Sequence, residues 1–423
     1  MKTNYIMKNH IIYSFLTLIF LSSSVKAADF FVYSSAQAPD YSTIQTAVNA
    51  ASNGDNIYID STVFTENVTI DKSLSFYPLN KGSRYTINGG LTLDFVNNTS
   101  IYIQGLDGAG ISSTFNGINT DSATIIINDC YFTGVVYMNQ NSSISSFIYY
   151  SKFDAYVELD HAELIGNDFN NQVKLSINQD FVTNPPKVKI YANSFYLFNS
   201  QNNSFHQLEI DFAENADIHI ANNIFNGDNN LGDNIRIEAS SGIYTNNVLI
   251  ENNTINKSSS STSVYAKRNI NVYYCDFLTV RNNYFNNQNS DRRISCAYVG
   301  VRNIESNVCN LPYDFTYCLS STCGSIISQN NLESNPLSYN SSTGVVTSAW
   351  GGGIDIGADI YECRDIDNTI NDIGTYGGPH SWSNYHNNSN SPAQIIDLEI
   401  PYYMLVLPGT ILEFNSKAIH KNE

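Results

Sequence analysis

Residues 218–225 read Ile-His-Ile-Ala-Asn-Asn-Ile-Phe, residues 249–255 read Leu-Ile-Glu-Asn-Asn-Thr-Ile, and residues 278–285 read Leu-Thr-Val-Arg-Asn-Asn-Tyr-Phe. Each copy is a few β-type residues, one or two asparagines, then a large apolar residue, and the apolar anchors Phe225, Ile255 and Phe285 stand 30 residues apart. Looser copies precede them, at residues 164–169 and 190–195. A unit this small cannot bury its own apolar face, so recurrence through most of the chain marks a solenoid. With strands and no intervening helices, the solenoid is expected to be a parallel β-helix of class all-β. Asparagine fits the corner after each strand, because it tolerates left-handed backbone angles and its amide both donates and accepts along a stack.

Composition agrees. Charged residues make up 14% of the 423, aromatics 13%, and the acids outnumber the bases 39 to 21, for a net of −18. Tyrosine, isoleucine, valine and threonine suit a pleated surface, whereas asparagine and serine compete with helical hydrogen bonds. The acidic balance excludes a general binder of nucleic acid or anionic membrane.

Residues 1–27 carry Lys2 and Lys8, an apolar run over 11–21, and small residues leading to Ala27, the pattern of a secretory signal peptide. Its removal takes away three bases and leaves 39 acids against 18 bases, a net of −21. No later stretch suits a membrane span, so none is expected after signal cleavage; residues 395–414 are broken by Asp397, Glu399, Pro401 and Pro408. In an oxidising compartment the seven cysteines favour disulfides over zinc. Cys318 and Cys323 are spaced to close a small loop, and Cys130 and Cys363 stand alone.

One helix is expected. Ser42-Thr43-Ile44-Gln45 has the form of a capping box, and Ile44, Ala47, Val48 and Ala51 make one apolar stripe. Alternating strands follow at residues 56–60, 66–70 and 74–77. The boundaries expected are a signal at 1–27, an N-terminal cap and first coils at 28–80, coils at 81–335, a closing segment at 336–392 and a tail at 393–423. The tail suggests two strands, at 395–400 and 410–414, with a polar, mobile end from 417.

The run Tyr41-Ser42-Thr43-Ile44-Gln45-Thr46-Ala47-Val48, with Gly54-Asp55-Asn56-Ile57-Tyr58-Ile59 and Phe64-Thr65-Glu66-Asn67-Val68 after it, resembles the start of right-handed parallel β-helix proteins of the pectin-lyase-like fold. Asn371-Asp372-Ile373-Gly374-Thr375-Tyr376-Gly377-Gly378-Pro379 is similar to a closing motif of exported bacterial members. The resemblance covers about residues 29–385. It implies the fold and a helix capping the coil, and says little about chemistry, since this fold hosts lyases, hydrolases, esterases and adhesins. Asn119-Thr120-Asp121 begins like a polygalacturonase motif but continues Ser122-Ala123, without its second carboxylate. Phe64-Thr65-Glu66 echoes a methylesterase motif whose later elements are missing, which makes Glu66 structural.

Lyases of the fold abstract a proton beside a uronate carboxylate with Arg or Lys, often with calcium. Residues 264–303 hold Lys267, Arg268, Arg281, Arg292, Arg293 and Arg302 against Asp276 and Asp291, a net of +4 in an acidic chain. Val280-Arg281 and Val301-Arg302 are expected one coil apart, stacking two guanidiniums where a uronate polymer would lie. The candidate catalytic residues are therefore Arg281 and Arg302, with Lys267, Arg268, Arg292 and Arg293 as substrate contacts. Asp365, Asp367, Asn371 and Asp372 offer oxygen ligands at spacings suited to calcium, the one cofactor suggested, though the EF-hand pattern is absent. His380, Trp382, Tyr385 and His386 read as surface loop residues. The pairs Tyr149-Tyr150, Tyr273-Tyr274 and Tyr402-Tyr403 are candidates for stacking on sugar rings. The leading expectation is a protein, secreted, periplasmic or on the cell surface, that binds polysaccharide or surface glycan. A polysaccharide lyase using the arginine-rich face, and a structural or adhesive surface protein, are the alternatives.

Overall fold

The structure is a computed structural model. It describes residues 27–332 apart from 36–39, 96–97, 109, 116–121, 139–142, 178–186, 198–204, 213–215, 228–231, 240–244, 258–267, 288–291, 310–315 and 319–324, and then 338–339, 346–347, 357–359, 365, 370–382, 385, 393–399 and 415–420. Asn119, Thr120, Asp121, Lys267, Asp367, His386, Tyr402 and Tyr403 lie outside the described residues.

The chain is an all-β parallel solenoid. Each coil has three strands, as in Ser143–Tyr149, Lys152–Phe153 and Val157–Leu159, and each strand pairs in parallel with its counterpart one coil on. The strands therefore rise in three columns. In the last coils the third column runs straight into the first through Arg268–Arg281 and Arg292–Glu305, two 14-residue strands that bend at Tyr274 and Tyr298, whose φ angles are +60° and +54°. The 30-residue period is real: Phe225 pairs with Ile255 and Ile255 with Phe285. Inside, Ile, Leu and Val of alternate positions form one core, and Phe132, Phe153, Phe169, Phe195 and Phe225 stack ring on ring up the second column.

The corner between the first and second columns explains the asparagines. One residue there has a positive φ, as at Gly166, Ala192, Asn222, Asn252 and Asn282, and the next turns into the coil. The inward residues form a buried ladder in which the amide of Asn167 donates to Asn193, Asn193 to Asn223, Asn223 to Asn253, Asn253 to Asn283, Asn283 to Asn307 and Asn307 to Asn331, each at 3.0 Å. Cys130 and Ser151 begin the same row: the Cys130 N–H donates to Ser151 Oγ, and the Ser151 N–H to Asn167 Oδ1.

The helix Ile44–Ala50 lays Ile44, Ala47 and Val48 on the open end of the coil. Its N-cap is Thr43 rather than the Ser42 of the expected box. The Ile44 and Gln45 N–H groups donate to Glu66, and Lys72 Nζ donates to the carbonyls of Val48, Asn49 and Ala51. A carboxylate at the N-terminus and an ammonium at the C-terminus match the helix dipole, which gives Glu66 a structural role.

Cys130, Cys275, Cys296 and Cys309 are buried, Cys318 lies in the strand Thr316–Cys318, and Cys323 and Cys363 lie outside the described residues. One expectation is corrected. In the tail, Ala393–Glu399 pairs antiparallel with Asn415–His420, so the second strand falls in the stretch expected to be mobile, and residues 410–414 are outside the described residues.

Candidate functional site

On the outer face of the first column, one polar chain crosses four coils. Tyr191, His219, Glu251 and Arg281 come from the ends of Lys187–Tyr191, Asp217–Ala221, Thr245–Glu251 and Arg268–Arg281. Tyr191 Oη lies 2.8 Å from His219 Nδ1, His219 Nε2 lies 2.8 Å from Glu251 Oε1, and Arg281 Nε donates to Glu251 Oε2 at 2.8 Å. Register makes this possible: Tyr191 pairs with Ala221, Ala221 with Glu251 and Glu251 with Arg281, while His219 sits two residues before Ala221 on the same face. Glu305 follows Arg281 in the row and accepts from Asn303 and Gln329.

Burial decides what the chain can do. Glu251 keeps 7% of its side chain exposed, Arg281 15% and His219 24%. Burial alone would raise the Glu251 carboxyl, but the hydrogen bond and charge of His219 and the Arg281 guanidinium outweigh it and bring it down to about 2. The result is an ionised carboxylate holding two partly exposed cationic or amphoteric side chains in fixed orientation.

The closing segment forms a wall beside this chain. Its residues clasp the flank of the solenoid through the outward asparagines: Asn222 Nδ2 donates to the carbonyl of Thr375, Asn252 exchanges hydrogen bonds with Asn371, and Asn282 accepts from the N–H of Gly374 and Ala358. Thr375 Oγ1 bonds Thr254 Oγ1 at 2.7 Å. The approach is close enough that a Cβ on Gly377 would lie 2.5 Å from Asn252 Nδ2. Trp382 and Tyr385 bury themselves against Tyr149, Ile165, Tyr191 and Ala221, which corrects the expectation that they are surface residues. The His380 ring stacks on Tyr191 at 4.3 Å and meets His219 edge-on at 5.4 Å.

The arginine ladder does not form as expected. After Asn283 the coil shortens to 24 residues, so Arg281 pairs with Glu305, and Arg302 pairs with Leu278. Arg302 is 7% exposed and its Nη1 lies 3.6 Å from Cys296 Sγ. Arg293 is fully buried one coil beyond Asn269, at the end of a second amide row in which Asn234 donates to Gln207 and Asn269 to Asn234. Its Nε donates to Cys309 Sγ at 2.9 Å, which takes it out of reach of a polymer. Arg268 and Arg292 do stand in register, and Arg268 Nη1 donates to Tyr273 Oη.

Two of the four side chains assigned to calcium, Asp365 and Asn371, hold the closing segment together or to the coil. Asp365 accepts from the N–H groups of Asp372 and Gly378, and Asn371 Oδ1 accepts from Asn252. Among the described residues no three His, Cys, Asp or Glu side chains are grouped to hold a metal. Tyr149 is buried with its hydroxyl on Glu163, and Tyr274 stacks on Tyr298 at 4.7 Å.

Sequence reasoning missed Tyr191, His219 and Glu251. Their only signal is that Tyr191 and Ala221, then Ala221 and Glu251, stand 30 residues apart in the repeat. No protein-family model, curated protein or solved structure matches the chain.

Proposed function

We propose that this chain is an exported β-helix of the pectin-lyase-like type that binds a polysaccharide or surface glycan along the outer face of its first strand column. The observation that carries the reading is the Tyr191–His219–Glu251–Arg281 chain at the foot of the closing wall. Glycan sites need planar polar groups held in place before the sugar arrives, since ordering them on binding costs affinity. Glu251 holds the imidazole and the guanidinium, and the half-buried His380 ring, stacked on the buried Tyr191, supplies an aromatic flank. Arg268 and Arg292 stand in register on the adjoining third column, a second basic position on the same coils.

The test is calorimetric titration of purified protein with a panel of neutral and acidic polysaccharides. Binding that weakens about tenfold in both His219→Ala and Arg281→Ala supports the reading. No binding across the panel, or binding indifferent to both changes, overturns it.

A second reading, a polysaccharide lyase, draws support from the same chain. A carboxylate that orients an imidazole, which in turn meets a phenol, is an arrangement able to move a proton. Of its members, His219 and Arg281 are partly exposed and would face a uronate substrate. Incubation with uronate polymers while watching ultraviolet absorbance for unsaturated ends separates the readings: a rise abolished in His219→Ala favours the lyase, and a flat trace leaves binding.

A further inference from the structure

The register of the last coils brings two cysteines side by side. Across the parallel strands Arg292–Glu305 and Thr316–Cys318, Ile294 pairs with Thr316, Ser295 with Tyr317 and Cys296 with Cys318. We infer that Cys296 and Cys318 are joined by a disulfide in the mature protein, a crosslink between neighbouring coils. The inference goes beyond the glycan reading and shares with it only the exported location.

Three observations carry it. Neighbouring strands lie about 4.8 Å apart, inside the roughly 4.4–6.8 Å window of Cα separations that disulfides span. The other buried cysteines have different neighbours: Cys275 stands beside Val299 and Cys309 beside Phe285, and the Cys130 thiol donates to the carbonyls of Asn128 and Ile103. Among the described residues, Cys296 and Cys318 are thus the one pair that register makes adjacent. The third observation is Arg302, whose Nη1 sits 3.6 Å from Cys296 Sγ. A guanidinium beside a thiol favours the thiolate, the form that attacks a disulfide. Burial pushes the Cys296 thiol up, and the Arg302 guanidinium opposes that.

The chemistry is thiol–disulfide exchange with an oxidant of the exporting compartment, either a disulfide-bearing oxidoreductase or glutathione disulfide. One thiolate attacks the donor disulfide and releases a donor thiol, forming a mixed disulfide. The second thiolate displaces the other donor thiol. Two electrons pass to the donor, which leaves as two thiols, and one sulfur–sulfur bond remains in the protein. Its consequence is local: Thr316–Cys318 is paired only with Arg292–Glu305 among the described strands, and the bond ties it there.

The full chain is folded in a glutathione redox buffer, unfolded in N-ethylmaleimide, and digested with two proteases that cleave between the cysteines of residues 303–364. The expected result is a Cys296–Cys318 crosslinked peptide that vanishes on reduction, with Cys296 unalkylated until then. Cys296→Ser and Cys318→Ser should each liberate one thiol, and reductant should lower the wild-type melting temperature by a few degrees while leaving the double variant unmoved. Quantitative alkylation of Cys296 in the oxidised protein, or its recovery joined to Cys323 or any other cysteine, overturns the inference. The wild-type peptide map decides the question even where a variant fails to fold.

Discussion

Asn222, Asn252 and Asn282 are chain neighbours of Asn223, Asn253 and Asn283, yet the two rows have opposite surroundings. The first of each pair takes a left-handed backbone, with φ of +57°, +54° and +56°, and turns its amide outward to the clasp. The second turns inward and is bonded on both sides by the same residue of adjacent coils. The lower coils have Gly105, Asp129, Tyr150, Gly166 and Ala192 at the left-handed position. An outward amide is thus found where the closing segment crosses, and Ala192 where Trp382 and Tyr385 pack instead. Residue type alone does not separate a ladder that holds the coil from a handle that holds a wall; the sign of φ does.

The comparison breaks first at the inward row. Asn253→Ala removes the acceptor of the Asn223 N–H and Nδ2 and the donor to the carbonyls of Ile220 and Glu251. Two or more buried groups left unpaired should cost about 4 kcal/mol, read as a lower midpoint in denaturant. Asn253→Ser should lose less, because serine fills this row at Ser151.

Next comes Glu251, which joins the corner to the candidate site. Its folded-state carboxyl, at about 2, lies below the ordinary value of 4.5, so the stabilisation is fully present above pH 4.5 and is lost as pH falls toward 2. The span is worth about 3 kcal/mol by linkage. Glu251→Gln should flatten the stability profile across that window, checked by denaturant melts at several pH values.

A smaller effect is expected at the outward row. Asn252→Gly keeps the left-handed backbone and deletes only the handle, so the loss should be about 1 kcal/mol. Faster hydrogen exchange over residues 371–378, with the inward ladder unchanged, is the expected signature.

The smallest change in stability belongs to Arg268→Ala, under about 0.5 kcal/mol for a partly exposed side chain bonded to one tyrosine hydroxyl. Its effect should appear instead as weaker binding of acidic polysaccharides, measured by calorimetry.

Much of the fold is legible along the chain. The 30-residue spacing of Phe225, Ile255 and Phe285 is a register statement, because parallel coils put equivalent positions side by side. The helix is legible too, but its cap is not, since Glu66 and Lys72 reach it across 20 residues or more. The site was legible only in part. Arg281 was singled out for its charge, and Glu251, which neutralises it, was not, because no local pattern ties an acid to a base 30 residues on. Arg302 falls elsewhere for a related reason: the coil there runs 24 residues where stacking on Arg281 needs 21, so Glu305 takes that place and Arg302 comes beside the buried Leu278.

The sequence by itself determined that the chain would coil into stacked parallel strands with asparagine at the corners, because a short repeat with β-type residues has no other way to bury its apolar face. Only the tertiary structure decided which asparagine faces in, which arginines meet carboxylates or thiols, and where residues 371–382 come to rest. Those outcomes depend on the sign of one φ angle per coil and on contacts across 24 to more than 100 residues, such as Asn252 with Asn371.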